Sequence, residues 1–66
     1  MEDRIGEVAG KIYRRLKKDG GLSLSQIPKL VGEKDSMTYL ALGWLAREGK
    51  LHFEIRSNKT LVSLSS

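Results

Sequence analysis

A mainly helical α+β domain, three helices followed by a β-hairpin, is predicted by three observations on this chain of 66 residues. Between Arg4 and Lys18 the apolar residues Ile5, Val8, Ala9, Ile12 and Leu16 recur at spacings of three and four, the stripe of an amphipathic helix. Gly20-Gly21, Gly32 and Gly49 stand where successive apolar stripes stop, and glycine ends helices because it enters the left-handed conformation without steric penalty. From Leu51 to Arg56 apolar and polar residues alternate strictly, which is the period of a strand.

The first helix spans Arg4 to Lys18, with Glu7 and Lys11 in the favourable i,i+4 order and cations crowding its last turns, where they complement the helix dipole. Leu22-Ser23-Leu24 is either extended or the opening of the next helix. Ser23 followed by Gln26 matches a capping box, and Ile27, Leu30 and Val31 form the buried side of a short second helix. Pro28 removes a needed donor if the helix is counted from Ser23, and none if it is counted from Ser25. Gly32 closes it on either count. The polar turn Glu33-Lys34-Asp35-Ser36 offers Asp35 or Ser36 as N-cap of a third helix running from about Ser36 to Glu48. Leu51–Arg56 and Thr60–Leu64 then make a hairpin around Ser57-Asn58-Lys59, with Val62 and Leu64 on one face. This order is the winged helix-turn-helix plan, with the second and third helices as the helix-turn-helix and the hairpin as the wing. One such domain accounts for residues 1–66.

A chain this short has a small core, and its stability should be on the order of 3–10 kcal/mol. With no cysteine, neither disulfides nor thiolate metal sites can supplement that core. No apolar run approaches the roughly 20 residues of a membrane span. The acidic start Met1-Glu2-Asp3-Arg4 lacks a signal-peptide pattern, so a cytoplasmic location is expected. The net charge of +4 suits contact with a polyanion without requiring one.

The stretch Ile5-Gly6-Glu7-Val8-Ala9-Gly10-Lys11-Ile12-Tyr13 and the stretch Ala41-Leu42-Gly43-Trp44-Leu45-Ala46-Arg47-Glu48-Gly49-Lys50-Leu51 carry a resemblance. They are similar to the two signature blocks of a family of small prokaryotic proteins described as a winged helix-turn-helix domain of unknown function. The resemblance covers essentially the whole chain. It implies the fold and brings no activity.

Catalysis has little to work with. His52 is the single histidine, and strand alternation places it with Glu54 and Arg56 on a solvated face. Nucleophile-elbow, phosphate-loop and metal-ligand spacings are lacking, so a protein with no cofactor, no metal and no small-molecule substrate is expected. The fold invites double-stranded DNA as partner, with the third helix in the major groove and the wing on the backbone. Projection at 100° per residue puts Thr38, Ala41, Leu42 and Leu45 on the core side. Ser36, Tyr39, Leu40, Gly43 and Arg47 fall opposite, a set poor in base-reading groups. Glu33 and Asp35 would repel phosphates. The cations lie on the first helix (Lys11, Arg14, Arg15, Lys17 and Lys18) and on the wing (Lys50, Arg56 and Lys59), so a DNA partner is expected to be gripped by its backbone through the wing and the basic first helix. The nucleic-acid contacts to consider are therefore Ser36, Tyr39, Arg47, Lys50, Arg56 and Lys59.

A homodimer is the other partner the residues suggest. The third helix is apolar nearly all round, so its Met37, Leu40 and Trp44 flank needs a cover, from the folded-back wing or from a second subunit. Trp44 is then either a packing residue of the monomer or an interface anchor. Gly6, Gly10 and Gly43 each cost about 0.8–1 kcal/mol inside a helix. Close backbone approach would offset that cost, either between the first and third helices or between subunits.

Overall fold

The computed structural model describes residues 2–65, and among them are three α-helices, one 3-10 turn and three strands. Helix α1 (Glu2–Asp19) buries the apolar stripe, with Val8, Ala9, Ile12 and Leu16 in the core. It ends as its glycine demands. Gly20 has φ +88° and its N–H donates to the Leu16 carbonyl at 2.8 Å. Strand β1 (Leu22–Ser23) leads into the 3-10 turn Leu24–Gln26 and then helix α2 (Ile27–Val31), closed by Gly32 at φ +71°. Helix α3 (Asp35–Arg47) buries Thr38, Ala41, Leu42 and Leu45, the four residues on its predicted core side. At its end the Lys50 N–H donates to the Leu45 carbonyl and the Gly49 N–H to the Ala46 carbonyl, both at 3.0 Å. This pair of bonds around a left-handed glycine (φ +72°) is a Schellman motif, and it turns the chain directly into β2.

Strands β2 (Leu51–Arg56) and β3 (Lys59–Leu64) pair antiparallel, from Arg56 opposite Lys59 to Leu51 opposite Leu64. The connection is therefore two residues long. Ser57 (φ +48°) and Asn58 (φ +68°) both take positive φ, as in a type I′ hairpin turn, and Lys59 belongs to the strand rather than to the turn. The hairpin is not alone. β1 pairs antiparallel with the other edge of β3, giving a three-stranded sheet in the order β1-β3-β2. This settles Leu22-Ser23 as extended. Val62 of the central strand is fully buried, flanked by Leu22 and Phe53 across the sheet.

Two helix starts differ from the sequence expectation. No side-chain cap forms at Ser23, and the residue before α2 is Gln26, so neither serine count holds. The 3-10 turn absorbs the residues between, and Pro28 sits in the first turn of α2, where its missing N–H has no intrahelical partner to lose. At α3 the extended residue is Lys34 (φ −65°, ψ 151°), one position before Asp35 and two before Ser36, and it offers no capping oxygen. Buried Thr38 ties that start down: its N–H and its hydroxyl both donate to the Lys34 carbonyl at 2.9 Å.

Candidate nucleic-acid interface and the open side of the third helix

The open side of α3 carries Ser36, Tyr39, Leu40, Gly43, Trp44 and Arg47, all exposed, while Met37 is half-buried against the core. The hairpin does not fold back over this helix flank. Leu40 and Trp44 are each 48% exposed, so Trp44 lies outside the buried core.

The glycines do not mark close helix approaches within the chain either. A methyl group added at Gly6 or Gly43 would meet nothing within 4 Å among the described residues. At Gly10 it would meet only the Arg14 guanidinium, at 3.4 Å. Nothing in the fold of the single chain therefore offsets their helical cost.

The hairpin tip forms one wall of a polar recess. Asn58, Lys59 and Thr60 face the β1–α2 connection (Ser23, Leu24, Ser25 and Gln26) across a cleft of about 290 Å³, with Tyr39 of α3 on its wall. Among the described residues no carboxylate lines it. The Ser23 and Ser25 hydroxyls lie 3.4 Å apart on its β1–α2 side. Three parts of the chain thus bring hydroxyls, amides and one ammonium group together, the side chains that contact phosphodiester oxygens.

Of the six residues singled out for nucleic acid, Tyr39 and Lys59 meet in this cleft. Ser36 and Arg47 lie near opposite ends of α3, about 16 Å apart at 1.5 Å per residue. Arg56, next to the turn, is held by Glu54, which also stands 4.0 Å from His52 Nε2. Lys50 is at the far end of β2, with its ammonium 5.9 Å from the centre of the Tyr13 ring. Ser25, Gln26 and Asn58 were not singled out. They lie some thirty residues apart in sequence and meet only because β3 pairs with both β1 and β2.

The acidic turn before α3 is less repulsive than its sequence implies. The Glu33 side chain is only 10% exposed and accepts from Lys11 Nζ at 2.6 Å and Arg4 Nη2 at 2.7 Å. The Lys11 hydrogen bond and the charge of Arg4 hold its carboxyl below the usual range, against the opposing effect of partial burial. Arg15 is likewise paired, with Asp19 at 2.6 Å. Lys11, Arg14, Arg15 and Lys18 line a groove between α1 and α2 that shares no residue with the hairpin cleft. The first-helix cations and the tip of the wing therefore border different recesses. Among the described residues no group of three or more His, Cys, Asp or Glu could hold a metal ion, and no helix is long and apolar enough to cross a membrane.

Comparison with known proteins adds sequence and fold relatives. A family model described as a winged helix-turn-helix domain (DUF2582) matches residues 1–64. The chain is 46% identical to the uncharacterized protein MJ1608 of Methanocaldococcus jannaschii, over 94% of each chain. It is also similar to the solution NMR structure of protein BT2368 from Bacteroides thetaiotaomicron, with a TM-score of 0.85 and 31% identity. That likeness covers 97% of this chain and 79% of the other.

Proposed function

Because this chain belongs to the family of winged helix-turn-helix domains (DUF2582), we propose that it binds double-stranded DNA through the hairpin tip and the open side of α3. The observation that carries this is the carboxylate-free cleft in which Ser25, Gln26, Tyr39, Asn58 and Lys59 converge. With α3 along the major groove, that cleft meets the adjoining phosphodiester backbone, as the wing does in this architecture. Glu33 does not oppose the approach, since Lys11 and Arg4 neutralise it. The first-helix cations are not part of the contact, because they line a separate groove.

Backbone contact dominates over base reading here. Arg47 is the one exposed side chain of α3 suited to bidentate contact with a base edge, so discrimination between sequences should be modest. The role is binding and not catalysis. Arg56 is held by Glu54, so if Arg47 and Lys59 each neutralise one phosphate, log K should fall against log salt with a slope of about −1.8. Lys59→Ala should reduce that slope by about one and weaken binding to all duplexes alike. Fluorescence anisotropy with a mixed-sequence duplex between low and moderate salt measures both. Binding that is absent at micromolar protein, or indifferent to salt, would rule the proposal out.

One observation favours the alternative reading, self-association through this side of α3 rather than DNA binding. Leu40 and Trp44 form an uncovered apolar flank on α3, and the glycines beside the helix faces leave room for a close neighbour. A homodimer through that flank should appear in light scattering at high concentration and be lost in Trp44→Ala and Leu40→Glu. A monomeric wild-type chain under those conditions removes this reading.

A further inference from the structure

A second depression, between α1 and α3, has a different chemistry from the hairpin cleft. It measures about 270 Å³ and is lined by Ala9, Gly10, Tyr13, Arg14, Leu45 and Lys50. Ala9 and Leu45 are buried and form an apolar floor, and the Tyr13 ring, partly exposed, makes one wall. Two cations stand at its rim. Lys50 holds its ammonium 5.9 Å from the Tyr13 ring centre, and the Arg14 guanidinium lies back over Gly10. Neither has a carboxylate within 4 Å among the described residues, whereas Lys11 and Arg15 on the other flank of α1 are both paired. No acidic residue lines the depression among the described residues.

An apolar floor under two unpaired cations complements one kind of ligand, a small molecule with an apolar body and a single negative charge. We propose that the α1–α3 seam around Tyr13 binds a small amphiphilic carboxylate. Its hydrocarbon or aromatic body lies on Ala9, Leu45 and the Tyr13 ring, and its carboxylate lies between Arg14 and Lys50. Gly10 lines the seam beneath the Arg14 guanidinium, whose nearest atom lies 3.4 Å from where a Cβ would stand. The site is independent of DNA binding, since it shares no residue with the hairpin cleft.

Octanoate is the probe, titrated into the ¹⁵N-labelled full chain while amide shifts are followed by NMR. Octanol and octylammonium serve as comparison ligands of the same length. Octanoate should shift the amides of Gly10, Tyr13, Leu45 and Lys50 saturably, in the millimolar range or somewhat tighter given the openness of the seam. Octanol should bind about three- to tenfold more weakly, and octylammonium more weakly still, because only octanoate brings a negative charge to the two cations. Arg14→Gln and Lys50→Gln should each weaken octanoate by a similar factor of about three to ten while leaving octanol unchanged. Equal response to octanoate and octanol overturns the proposal, as do shifts centred away from the seam. Unmoved seam amides overturn it too, including the case in which a second copy of the chain already covers them.

Discussion

Glu33 is the residue on which two distant parts of the chain are joined. Its carboxylate draws Arg4 and Lys11 of α1 onto the turn that precedes α3. Its pKa is lowered in the folded state, chiefly by the Lys11 hydrogen bond and then by the charges of Arg4 and Lys11. The stabilisation is therefore complete above the ordinary carboxyl value of 4.5 and disappears as pH falls through the lower folded value. Wild type should lose thermal stability below that point. Glu33→Gln should melt lower at neutral pH and show a shallower acid-side decline, read from Tm against pH by circular dichroism. Parallel curves for the two proteins would remove the ion cluster from the list of stabilising features. None of this was legible locally: the sequence shows Glu33 only as a charge in a polar turn, and pairing across 22 and 29 positions is a product of the fold.

At the scale of elements, helix ends were legible and helix beginnings were not. Gly20, Gly32 and Gly49 all adopt positive φ where apolar stripes stop, because a stop needs one residue of a special type. A start can be made by several residues. Here the backbone of Gln26 and Lys34 makes it while the nearby serines and aspartate leave the caps unfilled. Strand alternation likewise reported faces and not burial. Phe53 and Ile55 share the side of the buried Val62, yet they are 44% and 79% exposed because the hairpin runs past the helices that would cover them. Gly43 supplies the test at this scale. It lies inside α3 with open space where a Cβ would go, so Gly43→Ala should stabilise the single chain by about 0.8–1 kcal/mol. In a domain of this size that corresponds to roughly 4–8 °C in Tm, measurable by thermal melting in dilute solution. A lower Tm would mean that another surface packs against that position.

For the whole molecule, the core and the order of the three helices and the hairpin followed from apolar periodicity and the glycine stops, while β1 and the 3-10 turn did not. The buried cluster unites the α1 stripe, Ile27, the inner side of α3 and Val62. The hairpin cleft did not follow, since its walls come from residues 23–26, 39 and 58–60 and no local spacing joins them. What joins them is the sheet order, with β3 between β1 and β2. That order also sets a sequence of events during synthesis. The central strand is the last to be made, so helices and both outer strands must wait for residues 59–64 before the sheet can close. Contacts between residues 22 and 62 span most of the chain, and such distant pairing is slow relative to helix formation. On a translating ribosome, then, the sheet cannot close until residues 59–64 have cleared the exit tunnel.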